Sequence, residues 1–451
     1  MNEIADGVPW PKRFWAILAQ ALVITMSVLD ASIANIALPT ISADLHVMPA
    51  ESIWVVNAYQ LAITVSLLPL AALGDIVGYR KIYSWGVVVF TIASLGCAMS
   101  TSLEMLTLAR VLQGFGASGL MSVNTALVRF IFPRAQLGRG MGINSMLVAI
   151  SSAAGPSIAA GILTVAPWPF LFFINVPFGI AAFLMTASLP VTPHATHRFD
   201  WRAALLNAGM FGLALSAVDG IGHGASWPMV AGEALVALLI GVVFIRSQRG
   251  QRAPLLPVDL FAIPVFALSS LTSVLSFVAS TMTFVSLPFL FEANGLSTVS
   301  VGLLITPWPL TSAIISPLAG RLADRVPAGK LGGVGLGLLT LGLLSVALAP
   351  SHASWLNMAW RMALCGAGFS MFQAPNNRLL IAATPRERSG AGSGVLSSSR
   401  LVGQTLGAAL VAVVFGFTAQ QGVAVGGQLA VSIAVGMALV AMCVSLLRLR
   451  V

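Results

Sequence analysis

The stretch Val23–Pro39, VITMSVLDASIANIALP, is apolar almost throughout, yet it carries Asp30 in its outer half. An ionisable side chain at the centre of a bilayer costs about 3 kcal/mol on insertion scales. Such a residue is therefore expected to serve a function, usually as a proton or ion site. The rest of the chain is interpreted here as a scaffold around Asp30.

The composition is that of an integral membrane protein. Of the 451 residues, 57% are hydrophobic and only 8% are charged, whereas ordinary globular chains carry about 25% charged residues. The three cysteines are far apart and lie in apolar segments, so they predict neither a disulfide framework nor a metal site. No GxxxxGK[ST] phosphate loop, catalytic cluster or large soluble domain is present, so we expect no cofactor, no ATP-driven transport and no enzyme.

Apolar runs of about 20 residues, long enough to cross a bilayer as helices, fill nearly the whole chain. The fourteen runs are approximately 14–38, 52–73, 82–100, 104–127, 140–163, 170–190, 202–219, 228–246, 264–291, 299–320, 332–350, 354–381, 391–417 and 427–447. The sequence therefore predicts an all-α polytopic membrane protein with fourteen transmembrane helices.

The basic residues set the expected orientation. Of the 23 Lys and Arg residues, only Arg110, Arg361 and Arg400 fall inside predicted spans and away from the basic span ends. The others lie at the span ends of one side, and the opposite loops hold none. Because cytoplasmic loops carry the excess of Lys and Arg, both termini are predicted to be cytoplasmic. This placement explains the net charge of +9 without a nucleic-acid partner.

A repeat divides the chain into related halves. Residues 69–81 read PLAALGDIVGYRK, and residues 317–330 read PLAGRLADRVPAGK. The separation of about 250 residues predicts two six-helix bundles with a site at their interface. We place the N-terminal bundle at 1–191, a linker with two extra helices at 192–261 and the C-terminal bundle at 262–451.

Four ordered motifs resemble the major facilitator superfamily, and within it the fourteen-span drug:proton antiporters that export multiple drugs and quaternary ammonium compounds. They are the first-span motif at 29–39, the loop motif at 74–81, the fourth-span motif at 108–114 and the fifth-span antiporter motif at 154–161. Ser393, Gly394, Arg400 and Gly403 also resemble a thirteenth-span pattern of that branch. The loop departs from the family pattern, with Ile76 in place of the usual Arg.

Asp30 and Arg110 are the candidate proton-coupling residues. At 1.5 Å per residue, both lie roughly 10–14 Å below the outer surface and are able to face one cavity. Competition between a proton and a substrate at one carboxylate is the simplest antiport mechanism. Arg110 stays charged, so its expected part is to tune Asp30 or to bind substrate. The alternative is a static buried ion pair between the first and fourth spans.

Two further motifs are candidate gating elements. Asp75, Gly78 and Arg80 lie on a tight cytoplasmic turn, where Asp75 at a helix end is expected to latch neighbouring helices. The alternative is an ordinary solvated turn. Gly155, Pro156 and Gly161 predict a tightly packed, kinked hinge, since small residues permit close helix contact and proline bends a helix. The alternative is generic close packing, and the link to antiport rests on the resemblance alone.

Polar and aromatic residues inside the spans are the candidate substrate contacts, because polar groups at that depth usually face the bundle interior. They are Asn35, Asn57, Tyr59, Gln60, Gln113, Asn124, Trp308, Arg361, Gln373 and Asn376. For any one of them, a hydrogen bond between helices is the competing interpretation.

The sequence thus predicts a proton-coupled antiporter in a bacterial inner membrane, acting as a monomer. Its cargo would be hydrophobic or amphipathic small molecules, and its surroundings membrane lipid. The alternative is a proton symporter or facilitator for a small metabolite, since fold alone does not decide direction.

Overall fold

The computed structural model describes residues 7–133, 136–192, 194, 199–222, 225–251, 254–323, 325–350, 354–384 and 389–449. Over these ranges the chain forms long helices joined by short connections. In chain order they are α1 (Lys12–Asp44), α2 (Pro49–Val77), α3 (Tyr79–Ala98), α4 (Leu103–Ile131), α5 (Leu137–Val165), α6 (Pro169–Ser188), α7 (Trp201–Gly222), α8 (Trp227–Gln248), α9 (Pro264–Ala293), α10 (Thr298–Leu322), α11 (Ala328–Ala347), α12 (Trp355–Ala382), α13 (Ser389–Phe417) and α14 (Val423–Leu447).

Each of the fourteen predicted runs coincides with one of these helices, which confirms the all-α membrane architecture. Within the described residues, thirteen helices are long and apolar enough to cross a membrane. The one below that threshold is α12, which carries Asn357, Arg361 and Asn376 among its 28 residues. A helix of 28 residues is about 42 Å long, so α12 also has the length of a span. Asn357 is bonded to Arg361 within α12, while Arg361 and Asn376 are also bonded to groups outside α12, so these polar residues have protein partners.

Close backbone contacts repeat between the two halves of the chain. A side chain at Gly114 of α4 would overlap the carbonyl oxygen of Tyr59 in α2. Likewise, a side chain at Gly366 of α12 would overlap the carbonyl oxygen of Trp308 in α10. In lipid, where burial of apolar surface drives helix association only weakly, such small residues allow backbones to pack closely. The sequence repeat therefore has a counterpart in equivalent helix contacts.

On the side of α5 and α10, the two halves are in contact at one end of the bundle. We call the end where α2 meets α3 and α10 meets α11 the basic end, and the end where α1 meets α2 the far end. An apolar far-end cluster joins Ile41 of α1 and Ile53 of α2 to Phe289 of α9. Beside it, Ser157 of α5 and Thr306 of α10 are hydrogen-bonded at 2.8 Å.

Toward the basic end, the same helices present exposed side chains. Ile150 of α5 is 56% exposed, and Pro317, three turns from Thr306 on the same face of α10, is also exposed. Ile150 lies two turns from Ser157 on the same face of α5. The interface between α5 and α10 is therefore closed at the far end and open toward the basic end.

The extra helices α7 and α8 pack on each other and lie beside the main bundle. The α7 helix contacts α13, where Gly222 lies against the backbone of Val413. It is also bonded to α2, since Asn207 Nδ2 donates to the carbonyl oxygen of Val65 at 2.8 Å. These contacts place the pair next to the seam between α2 and α13.

We predict that a cysteine pair at the far end will cross-link. In a background where the exposed Cys443 is replaced by Ala, Ser157→Cys with Thr306→Cys is expected to form a disulfide, because the two hydroxyl oxygens lie 2.8 Å apart. The matched control is Ile150→Cys with Ala313→Cys, two turns toward the basic end on the same helix faces. Mass spectrometry of non-reduced peptides after oxidation should find the first pair and little of the second. Equal cross-linking of both pairs would contradict a closed far end.

Candidate functional site

Asp30 is buried inside the first six helices, with 2% of its surface exposed. Its Oδ2 accepts a hydrogen bond from Arg110 Nη1 at 2.6 Å. Its Oδ1 accepts from Gln113 Nε2 at 2.7 Å and from Asn175 Nδ2 at 3.0 Å. Three donors from α4 and α6 converge on this one carboxyl group. Such an arrangement suits an ionised carboxylate, which offers only acceptors.

Arg110 is held on all sides as well, with 1% of its surface exposed. Its Nε donates to the carbonyl oxygen of Val55 at 2.8 Å, and its Nη1 also donates to Gln113 Oε1 at 2.7 Å. The guanidinium lies 4.0 Å from the ring centroid of Tyr59 and 5.5 Å from that of Phe172. These aromatic faces favour a cation where water is excluded.

Gln113 connects the pair to α3. Its Nε2 donates to Ser94 Oγ at 2.8 Å as well as to Asp30. Its Oε1 accepts from Arg110 and from Cys97 Sγ, the latter at 3.5 Å. The amide thus uses both of its ends, which fixes its orientation. A buried polar network of this kind is stable only while every member is satisfied.

Asn175 and Ser94 belong to this network, although neither was predicted as a site residue. The only signal in the sequence is a lone polar residue in an apolar span, such as Asn175 in FFINVPFG. Asp30, Arg110, Gln113 and Tyr59 were predicted, and the structure brings them together.

The surroundings of the pair differ from the expected shared cavity. Asp30 and Arg110 contact each other directly and are enclosed by α1, α2, α4 and α6. A substrate in the space between the halves has no direct access to the carboxylate in this arrangement. The other face of α1 touches α5, where a side chain at Gly155 would overlap Ser32. Asp30 is therefore linked to α5 through α1.

The candidate gating turn lies at the basic end. Gly78 has φ +99°, a conformation that L side chains rarely adopt, and it separates α2 from α3. Asp75 Oδ1 accepts from the hydroxyl of Tyr79 at 2.5 Å. Arg80 lines a cavity of about 490 Å³ together with Lys81 and neighbouring apolar side chains. In this arrangement Asp75 is bonded within its own half.

The candidate hinge residues in α5 have different surroundings. Gly155 lies against Ser32 of α1, and the carbonyl oxygen of Pro156 lies where a side chain at Gly302 of α10 would be. A glycine is therefore required at position 155 for the contact of α5 with α1, and at position 302 for the contact of α10 with α5. Gly161 faces open space, so nothing in its packing requires a glycine.

The remaining candidates of the N-terminal half join helices or lack partners. Asn124 Nδ2 donates to Asn144 Oδ1 at 2.7 Å, and Asn124 Oδ1 accepts from Gln20 Nε2 at 3.2 Å. Gln60 is buried on α2. Among the described residues, neither amide atom of the fully buried Asn57 has a hydrogen-bond partner, and the same holds for the Oδ1 of Asn35.

Candidates of the C-terminal half are also spread out. Trp308 is buried, with its ring centroid 4.8 Å from that of Phe284. Arg361 Nε donates to Asn357 Oδ1 at 2.8 Å, and its Nη1 donates to the carbonyl oxygen of Ser345. Gln373 is half-buried on α12.

Asn376 is part of a hydrogen-bonded cluster at the basic end. Its Oδ1 accepts from Arg448 Nη1 at 2.6 Å, and Ser269 Oγ accepts from the same nitrogen at 3.2 Å. Burial lowers the pKa of Arg448 to about 10, so this cation stays charged at neutral pH. The cluster ties α9, α12 and α14 together. Over the described part of the chain, no group of three His, Cys, Asp or Glu side chains is placed to hold a metal ion.

Comparison with known proteins bears on this architecture. The model of the Major Facilitator Superfamily matches residues 21–273 and 269–450. The chain is 52% identical to the uncharacterized transporter YebQ of Escherichia coli, over 99% of this chain and 97% of that protein. It is 31% identical to the riboflavin transporter RibZ of Clostridioides difficile, over 88% of this chain and 87% of that protein. It is also 31% identical to the multidrug resistance protein Stp of Mycobacterium tuberculosis, over 88% of this chain and 74% of that protein.

A solved structure shares the fold. The crystal structure of a bacterial homologue of the human lysosomal transporter Spinster, inward-facing and unoccupied, superposes with a TM-score of 0.73. It covers 97% of each chain at 17% sequence identity.

We predict that Arg110→Gln destabilises the protein strongly, because it leaves the Asp30 carboxylate buried without its cation. Removing one partner of a buried pair costs about 3–5 kcal/mol. Arg361→Gln, which removes an arginine bonded only to an amide and a backbone carbonyl, should cost about 1 kcal/mol. Denaturant titration in detergent would measure both. The double variant Asp30→Asn with Arg110→Gln should recover part of the loss, and an additive loss would show that the two residues are not coupled.

Proposed function

The chain belongs to the Major Facilitator Superfamily and is a multi-pass membrane transporter rather than an enzyme; we propose that it is a proton-coupled antiporter of the fourteen-span drug-export branch. In this proposal it lies in a bacterial inner membrane with both termini in the cytoplasm and acts as a monomer. The basic end then faces the cytoplasm, as the excess of Lys and Arg predicts.

The observation that carries the proposal is the Asp30 carboxylate with its three donors. A buried acid bonded to a permanent cation is a group whose charge matters to helix packing, because neutralising it removes an attraction in a low-dielectric region. Proton transporters use acidic side chains within the membrane in this way.

Protonation of Asp30 would change one contact and leave others in place. Arg110 would keep the carbonyl oxygen of Val55, the Gln113 amide and the Tyr59 ring. The α1 helix would then be held less tightly to α4. Since Ser32 of α1 lies against Gly155 of α5, a shift of α1 would reach the helix whose outer part closes on α10. Proton binding and the far-end seal would thus be coupled through α1 and α5, without substrate touching Asp30.

Export of hydrophobic or amphipathic compounds is supported by one relative and by the shape of the bundle. The 31%-identical protein Stp is a multidrug resistance protein. The half-exposed apolar side chains of α5 and α10 toward the basic end offer a surface for such molecules to enter from the cytoplasm.

A second candidate is transport of a metabolite, either with protons or by facilitated diffusion. It is favoured by the relative RibZ, a riboflavin transporter. The direction of transport distinguishes an exporter from an importer of a metabolite. An exporter loads inverted membrane vesicles and keeps its compound out of intact cells, whereas an importer does the reverse.

We predict that substrate-dependent proton movement requires Asp30. Purified protein in liposomes with a pH dye inside should move protons when a transported hydrophobic or amphipathic compound is added, and Asp30→Asn should abolish that movement. The matched control is Asp44→Asn, which changes a carboxylate of the same helix that accepts from Trp168 Nε1 at the far end. That variant should behave as the wild type.

Equal proton movement in wild type and Asp30→Asn would show that another group carries the proton. The Asp30–Arg110 ion pair would then have a structural role only. Substrate transport that persists without proton movement in the wild type would favour the facilitator.

A further inference from the structure

Arg400 is a cation inside a membrane span that has no partner in the described structure. Of the three arginines within spans, Arg110 is paired with Asp30, and Arg361 is bonded to Asn357 and to a backbone carbonyl. Arg400 forms neither a salt bridge nor a hydrogen bond with any described residue, and its Nε is enclosed without an acceptor. An unpaired guanidinium at this depth is costly.

The position of Arg400 on α13 follows from the contacts of its neighbours. Gly403 and Gly407 lie against α9. On roughly the opposite side, Thr405 Oγ1 lies 3.1 Å from Thr64 Oγ1 of α2. At about 100° per residue, Arg400 and Gln404 fall on the arc between these two faces. The remaining arc of α13, on the opposite side from Arg400, contacts Gly222 of α7. The arc of Arg400 and Gln404 therefore faces the space between the halves.

The side chains on this arc become more buried from the basic end toward the far end, as expected for the wall of a cavity that is closed at the far end. Ser397, Arg400 and Gln404 are half-buried. Further toward the far end on the same arc, Val411 and Phe415 are buried in the far-end cluster. The arc is thus polar and partly exposed toward the basic end, and apolar and buried beyond it.

Among the described residues, no carboxylate forms a salt bridge with Arg400. In the sequence after Glu292, the only acidic residues are Asp324 and Glu387, which lie outside both the predicted spans and the residues that the structure describes. Asp30 is already bonded to Arg110, and Asp75 to Tyr79. In an arrangement open to the cytoplasm, water would be able to reach the exposed part of the half-buried Arg400. Alternating access requires a stage in which the cavity is closed on both sides, and there the guanidinium would lose that water.

We propose that Arg400 binds an anionic group of the substrate, so that the preferred cargo is an amphipathic carboxylate or sulfonate rather than a lipophilic cation. The guanidinium fork matches a carboxylate with two parallel hydrogen bonds. Gln404, one turn further along the same arc, offers an additional N–H donor. Closure of the cavity is then favoured when an anionic cargo neutralises Arg400. This inference rests on the proposed function for its setting, but it concerns recognition and not proton coupling.

The test compares two dyes that share a xanthene ring system and differ in charge. Fluorescein is an anion at neutral pH, and tetramethylrhodamine methyl ester is a cation. Binding to the purified full-length protein is measured by fluorescence anisotropy, with no proton gradient. Wild type should bind fluorescein more tightly. Arg400→Gln should weaken fluorescein binding about tenfold or more, as expected for a charge-assisted hydrogen bond, and should leave the cationic dye unchanged or tighter. Arg400→Lys should restore part of the loss.

The control variant Arg321→Gln removes the same charge from an exposed position at the basic end and should leave both affinities unchanged. Thermal unfolding would establish that Arg400→Gln is folded. The proposal is overturned if wild type binds the cationic dye at least as tightly, if it binds neither dye, or if Arg400→Gln alters both affinities equally or not at all. Because binding is read at equilibrium, these results are independent of proton movement and of Asp30→Asn.

Discussion

The ion pair between Asp30 and Arg110 is the interaction on which the first half of the molecule depends. Two charges have been taken out of water, at a cost of several kcal/mol each unless geometry and hydrogen bonds compensate. The compensation is supplied by α2, α3 and α6, which provide the Val55 carbonyl, Ser94 and Asn175. These hydrogen bonds join α1, α2, α3, α4 and α6, and they fix the rotation of each helix about its axis and its depth in the bundle. A proton on Asp30 changes the charge at the centre of this arrangement.

The Asp30–Arg110 pair is buried within the first six helices and does not line the space between the halves. This separation limits how a proton on Asp30 could affect a substrate. In the proposed mechanism a substrate between the halves would meet α2, α5, α10 and α13, while the Asp30 carboxylate is enclosed by α1, α2, α4 and α6. In the proposed antiport, coupling would therefore pass through helix movement rather than through competition of proton and substrate for one group. The close contact of α1 with α5 at Gly155, and of α5 with α10 at Gly302, supplies a continuous route from Asp30 to the far-end seal. Since these contacts are between backbones and small side chains, the proposed mechanism would pass a small shift at one contact on to the next.

Sequence reasoning found the spans because run length in a membrane protein is set by bilayer thickness. It also found Asp30 and Arg110, since charges at similar depths in apolar spans are costly unless paired. It did not find Asn175 as a donor or the loose surroundings of Gly161. Both depend on how each helix is rotated about its axis, and a span that is apolar all round carries little periodic signal of that rotation. Arg361 shows the same limit: it matches Arg110 in the repeat, yet its partners are Asn357 and a backbone carbonyl.

The most direct measurement is infrared difference spectroscopy of the reconstituted protein, following the C=O stretch of protonated carboxyl groups as pH is lowered and as a transported compound is added. The account predicts a carboxyl band that responds to both and is absent in Asp30→Asn, while Asp44→Asn retains it. A band that persists unchanged in Asp30→Asn would show that another group carries the proton and that the Asp30–Arg110 pair is purely structural.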